Sequence, residues 1–239
     1  MNPLRGEIIN VTALSSKDFS QMFGLMSHYY DNLLQDTFLS DLQQKDCVLA
    51  LFDRKKDIVG FSTQKLITFP LDNQEIRGIF SGDTIVDKTY WGQMELARLW
   101  LQYVLQVGNP YDYTNFYWFL ISKGLKTYRM LPVHFHTYYP NHALPTPPYF
   151  KKLLDTFGTC FYPQYYDREA GVMRYHGQKD RLKAEIVEMD KRKSGEVRDF
   201  FESVNPSYKE GDDLVCVAPI SPHNFKPRVR AVTAQFTTC

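Results

Sequence analysis

Residues 75–105 read EIRGIFSGDTIVDKTYWGQMELARLWLQYVL, and this stretch decides the fold. Glu75 to Val86 is rich in β-prone residues and predicts a strand. Gly78 and Gly82 within it mark a bulge, or a close approach by another backbone or a ligand. Asp87 to Gly92 breaks the strand, and a helix begins at Gln93. Leu96, Leu99, Trp100, Tyr103, Val104 and Val107 form an apolar stripe at helical period. Gly108, Asn109 and Pro110 stop the helix.

Working outward toward the N-terminus, Gly6 to Leu14 predicts a strand built on Ile8, Ile9 and Val11. Ser15 and Ser16 offer an N-cap to a helix starting near Lys17 and Asp18, and a second helical piece covers Asp36 to Gln43. Val48 to Phe52, the charged turn Asp53 to Asp57 and the run Ile58 to Phe69 form a hairpin. A turn at Pro70 to Asn73 joins it to the strand quoted above, giving a three-strand antiparallel meander.

Toward the C-terminus, Asn115 to Ile121 is short and apolar enough for a buried strand. A turn at Ser122 to Gly124 leads into a short helix, Leu125 to Leu131, halted by Pro132. Asn141 to Pro148 holds three prolines and reads as a linker or an ordered loop. Beyond it come a helix over Tyr149 to Phe157, two β-like stretches around Asp167 and Glu169, and a charged amphipathic segment from Arg181 to Val204. A short strand at Leu214 to Val217 precedes a polar, basic tail from Pro222. The expected organisation is a core over 1–148 and a C-terminal extension over 149–239 that completes the sheet and covers an acceptor site.

Composition narrows the function classes. A chain of 239 residues exceeds the usual allotment of about 150 per domain, so it can bury a sizeable core. Its 28 Lys and Arg against 27 Asp and Glu argue against a nucleic-acid binder, which needs many phosphate contacts. No window of 18 apolar residues is present, so no membrane span is expected. Cys47, Cys160, Cys216 and Cys239 form no CxxC pair, and Met1 to Val11 lacks the apolar run of a leader. Reduced thiols and a cytoplasmic location are therefore expected. Aromatic residues make up 15%, which signals either an aromatic core or a pocket for a long apolar ligand.

Strand, two helices, three-strand meander, helix, strand, helix and further strands is an α/β order with a mixed sheet. Over about residues 6 to 140 it resembles the GCN5-related N-acetyltransferase (GNAT) superfamily. The match is carried by Gly60-Phe61 and then by SGDTIVDKTYWGQMELARLWLQYVL, in which Val86, Asp87, Tyr90 and Gly92 follow the outline V-x-x-x-Y-R-G-x-G-x-G. In that family this loop cradles a pyrophosphate at a helix N-terminus. The resemblance therefore implies a GNAT-like acyl-CoA acyltransferase fold, with donor contacts from Ile85, Val86, Trp91, Gly92, Gln93, Met94, Glu95, Ser122 and Arg129. It departs at Trp91, where the family has Arg or Gln, and at Met94 and Leu96, where it has glycine. Three outcomes stay open: an acyl-carrier-protein donor, which lacks the pyrophosphate; coenzyme A in a displaced pose; or a site without turnover.

The resemblance implies attack by an amine on an acyl thioester, which needs a base, an oxyanion site and a proton for the leaving thiolate. Asp83 is the first choice for the base; the alternative is a bulge aspartate bonding its own backbone. Tyr128 stands near the family's thiolate-protonating tyrosine, or packs in the core. His134 and His136 would share a face in an extended chain and offer another base. A metal would need a third ligand such as His176, and none is assigned. Cys160 lies in an apolar stretch where a thiol is inert. The expected partners are a CoA or carrier-protein thioester, medium or long in chain, and a primary amine on a small metabolite or peptide, as in the lipopeptide-making branch. The rivals are a non-catalytic module that docks a carrier protein or peptide, and a metal-dependent enzyme built on the histidines.

Overall fold

The structure is a computed structural model that describes residues 4–191, 195–234 and 236; Cys239 lies outside the described residues. It opens with strand β1 (Arg5–Asn10) and helix α1 (Ser16–Tyr29). α1 starts where it does because of a capping box: Asp18 N–H donates to Ser15 Oγ, and Ser15 N–H donates to Asp18 Oδ2. The two-residue β2 (Tyr30–Asp31), α2 (Gln35–Gln43), β3 (Cys47–Phe52), β4 (Ile58–Leu71) and β5 (Gln74–Val86) follow. Next are α3 (Glu95–Gly108), β6 (Phe116–Ser122), α4 (Leu125–Tyr128) and α5 (Met130–His134). The chain continues through α6 (Pro148–Phe161), β7 (Tyr166–Asp167), β8 (Val172–Met173), β9 (Arg181–Leu182), α7 (Ala184–Lys191) and α8 (Glu196–Val204). It closes with β10 (Asp213–Pro219) and α9 (Pro227–Thr233).

Eight strands form one mixed sheet in the order β1-β3-β4-β5-β6-β10-β8-β7, and β2 pairs separately with β9. Every neighbouring pair in the large sheet is antiparallel except β5 with β6. The mixed α/β class expected from the sequence is what the chain adopts. Alternation sends Leu49 and Leu51 of β3 to the face covered by α3, and Val48 and Ala50 to the face covered by α1 and α2. α6 covers that second face farther along, where Phe157 stacks on Phe119 at 4.7 Å between ring centroids. Each such buried aromatic or aliphatic side chain contributes roughly 1.5–3 kcal/mol.

Several boundaries differ from the sequence reading, each for a local reason. Pro132 does not halt a helix but sits third in α5, where a backbone N–H would have no intrahelical partner. The predicted helix over Tyr149 to Phe157 extends from Pro148, a favoured first residue, to Phe161. The tail is not uniformly polar: α9 docks through Val229, 5% exposed, into the α3-side core. Cys160 is exposed on the last turn of α6 rather than enclosed, while Cys47 and Cys216 are buried free thiols. No helix among the described residues is long and apolar enough to cross a membrane.

Candidate active site

The parallel pair at the middle of the sheet is short. β5 pairs with β6 only over residues 77–81 and 116–120. Beyond that point β5 continues along β4 to Val86, while β6 continues along β10 to Ser122. A wedge opens between them, and its origin is a bulge. Ser62 faces Thr84 and Gln64 faces Ser81, so Gly82 and Asp83 together stand opposite Thr63. Glycine is needed at the first of these positions, since a Cβ on Gly82 would lie 2.6 Å from Thr63 Oγ1 and 2.8 Å from Lys45 Cε. Asp87 N–H donates to Val59 O across the β4 side, so alternation turns the peptide groups of Thr84 and Val86 toward the wedge. Trp91 Nε1–H holds Val86 O at 2.7 Å.

Two cavities reach the bulge. The one on the α3 face, about 260 Å³, has a mainly apolar wall that includes Val86, Leu96, Trp100, Trp118, Leu120 and Met130. Trp91, Gly92, Gln93 and Lys126 also line it, and the Lys126 ammonium lies 3.5 Å above the Trp91 ring. Beneath the wall runs a directed chain of hydrogen bonds. Trp118 Nε1–H donates to Ser81 Oγ (2.8 Å), Ser81 to Gln64 Oε1 (2.7 Å), and Gln64 Nε2–H to Ser62 Oγ (2.7 Å). Thr84 Oγ1 donates to Gly82 O at 3.2 Å, which leaves Ser62 to donate to Thr84 at 2.7 Å. The chain thus satisfies polar groups that would otherwise be buried unpaired.

The second cavity, about 670 Å³, lies on the α2 and α6 face. Its wall includes Asp36, Asp41, Asp83, Tyr162, Lys179 and Asp180. Asp83 makes no hydrogen bond with another described residue, so the bulge-aspartate alternative is not what the structure shows. Burial raises its carboxyl to about 6, helped by the carboxylates of Asp41 and Asp180 and opposed by Lys179 and Lys45. Gly82 thus lines one cavity and Asp83, its neighbour, the other.

The structure gathers some of the sequence-predicted residues and separates others. Ile85, Val86, Trp91, Gly92 and Gln93 line the apolar cavity, whereas Met94, Glu95, Ser122 and Arg129 do not. Met94 is the N-cap of α3, is 40% exposed and makes no side-chain cap. Ser122 is buried against Cys216 Sγ, 3.8 Å away. Tyr128 lines neither cavity; it is 0% exposed, its Oη donates to Pro140 O at 2.9 Å, and its ring packs on Phe200 and Phe201. His134 and His136 do not share a face: His134 lines the apolar cavity, buried at the end of α5, while His136 is exposed and lines neither. Burial lowers the His134 imidazole below its ordinary value, and its Nδ1 meets Met130 O at 2.7 Å. No group of three His, Cys, Asp or Glu suited to a metal occurs among the described residues.

Sequence reasoning missed Tyr30, Lys123 and Lys179. Tyr30 lines the apolar cavity, yet burial and then the Asp180, Asp83 and Asp213 carboxylates, the first two of which line the polar cavity, push its hydroxyl well above the ordinary tyrosine value. It stands between the two. It lies in the two-residue β2, which carries no motif, and pairing with β9 fixes its place.

Three solved structures are similar to parts of the chain. A probable N-acyltransferase of Enterococcus faecalis V583 is matched over 56% of this chain and 33% of its own, at 10% identity and a TM-score of 0.42. N-myristoyltransferase of Saccharomyces cerevisiae, with bound myristoyl-CoA, is matched over 52% and 31%, at 10% identity and 0.39. An acetyltransferase of Trypanosoma brucei is matched over 56% and 95%, at 16% identity and 0.38. The matched segment thus spans about a third of the length of the first two. No protein-family model and no curated protein matches the sequence.

Proposed function

We propose that the protein is a GNAT-like N-acyltransferase that moves an acyl group, medium or long in chain, from a CoA or carrier-protein thioester to a primary amine on a small metabolite or peptide. One observation carries the reading: an apolar cavity and an acid-lined cavity meet from opposite faces of the sheet at the Gly82–Asp83 bulge. The thioester takes the apolar cavity, with its acyl chain against Trp100, Trp118 and Leu120. The amine takes the polar one. Above pH 6 Asp83 is ionised and accepts the amine proton. The nitrogen attacks the carbonyl carbon, the N–C bond forms, and a wedge-facing peptide N–H, that of Thr84 or of Val86, holds the oxyanion. The C–S bond then breaks. Tyr30, protonated at rest over the whole working range, passes its proton to the departing sulfur and regains one from the acylated nitrogen, the role the sequence reading gave to Tyr128. For a CoA donor, Lys126 and the uncapped N-terminus of α3 supply positive charge for phosphate. The segment after residue 148 completes the sheet through β10 and covers the amine side with Tyr162 and Lys179.

The test is intact mass spectrometry of amines and basic peptides incubated with the protein and short, medium or long acyl thioesters of CoA and of a carrier protein. An acyl-sized gain on an amine is the expected result. Donor binding without product would favour the docking module, whose support is that Met94 and Leu96 put side chains where the pyrophosphate loop needs glycine.

A further inference from the structure

The charges around the polar cavity divide into paired and unpaired. Lys45 Nζ lies 2.6 Å from Asp41 Oδ2, and Lys123 Nζ lies 3.0 Å from Asp180 and 3.9 Å from Asp213. Arg174 holds Asp167 at 2.7 Å and reaches Asp212 at 3.6 Å. Asp36 is exposed in the first turn of α2, where the helix dipole favours an acid. Two half-buried side chains in the cavity wall are left over, Asp83 and Lys179. Among the described residues neither has an opposite charge within 4.0 Å.

Lys179 is placed by a built scaffold. Its carbonyl accepts from Asn32 Nδ2 at 3.2 Å, and the next carbonyl, of Asp180, accepts from Lys123 Nζ at 2.8 Å. Two left-handed residues, His176 and Gly177, turn the chain just before it. Its ammonium lies 4.5 Å from the Tyr175 ring centroid and 3.4 Å from that residue's Oη, which leaves donors facing the cavity. Burial works to remove its proton, but the carboxylates of Asp213, Asp180, Asp83 and Asp41 outweigh it and keep the group charged. Those carboxylates act from a distance, and none among the described residues touches the ammonium, so its cavity-facing N–H donors are open to an anionic group.

We propose that the acceptor is a zwitterion of the amino-acid class, whose amine goes to Asp83 and whose carboxylate goes to Lys179. This rests on the acyl-transfer reading and narrows it. A substrate bearing only amines would bring a second ammonium up to Lys179, so a diamine is rejected by the residue that admits an amino acid. The cavity of about 670 Å³ has room for the amino acid and a large side chain. Lys179 is then a specificity residue, and Asp83 keeps the proton transfer.

The experiment pairs each amino acid with the amine left by its decarboxylation: leucine with isoamylamine, phenylalanine with phenethylamine, lysine with cadaverine. Acylation rates and thermal shifts are both read, for the wild-type chain, Lys179→Met and Lys179→Arg. The expected preference in kcat/KM for the amino acid is about 10- to 100-fold, the range of one charge-assisted hydrogen bond. It resides in KM, collapses toward one in Lys179→Met and partly returns in Lys179→Arg. Equal rates within the wild-type pairs would overturn the proposal and leave acyl transfer standing. So would an acyl mass found on Lys179 itself, which would make that lysine an acceptor. If no amine is acylated, the acyl-transfer reading fails, and the thermal shifts still decide whether the cavity prefers the zwitterion.

Discussion

The cavity on the α3 face is walled by Trp100, Trp118 and Leu120, whereas the one on the α2 face is walled by Asp36, Asp83 and Lys179. In the first, the side chains of Trp118, Ser81, Gln64, Ser62 and Thr84 satisfy one another in a directed chain that ends on Gly82 O, and the buried Trp100 indole N–H is left without a partner among the described residues. The second leaves an acid and a base without ion partners in contact among the described residues. A wall that is apolar and uncharged but for one indole N–H asks chiefly for apolar contact. A wall with unspent charge asks for a charged guest. The contrast assigns the greasy reactant to one side of the bulge and the ionic one to the other.

Exchanging the chemistry of one residue at the junction gives the largest expected effect. Asp83→Asn should lower turnover about 10²- to 10⁴-fold, the usual worth of a general base. The wild-type rate should rise with pH through about 6, and this limb should vanish in the variant. The groups that bias Asp83 are Asp41 and Asp180, which hold its pKa up, and Lys179 and Lys45, which hold it down. A pH–rate profile with no limb near 6 in the wild type would break the assignment. On the apolar side, Ala97→Trp fills space beside Trp100. It should cut kcat/KM for long-chain thioesters about 10- to 100-fold while sparing acetyl donors. Equal loss for both would mean that the acyl chain lies elsewhere.

Smaller effects bear on stability. Because the folded chain raises the Asp83 carboxyl from 3.8 to about 6, the native state binds that proton more tightly than the unfolded state. The stability it contributes is present below about pH 4 and is lost as pH rises through about 6. Asp83→Asn should therefore stabilise the chain by up to about 3 kcal/mol at pH 7 and much less at pH 4. Urea denaturation at the two values would measure it, and a pH-independent difference would refute it. Trp118→Phe removes the donor at the head of the hydrogen-bond chain and should cost about 1–2 kcal/mol by the same measurement. A neutral result would show that the apolar wall does not depend on its polar backing.

The elements around residues 75–105 were legible because their signals are local: a β-rich run, a breaker and an apolar stripe at helical period. So were Ile85, Val86, Trp91, Gly92 and Gln93, which follow one another along the strand and its exit loop. Tyr128 was misplaced because its role depends on α8, some seventy residues later, whose Phe200 and Phe201 enclose it. His136 was misread because the extended segment assumed for it begins only at Phe135, after α5 has turned His134 inward. Lys179 carries no motif at all. Its meaning arises only when Lys45, Lys123 and Arg174 have each taken their acids and left it over.

The extra residue in β5 also sets a phase. Before the bulge the even-numbered Ile76 and Phe80 pack on the α6 side and the odd-numbered Ile79 on the α3 side. After it the odd-numbered Ile85 faces α1 and α2 and the even-numbered Val86 faces the α3 side. One strand thus reads in two frames, and the frame shift falls where the cavities meet. Deleting a single residue between Ser81 and Thr84 would leave one residue opposite Thr63 in a regular ladder, with Ile85 and Val86 on the faces they already occupy. What would be lost is the point where the chambers meet, since Gly82 lines one and Asp83 the other.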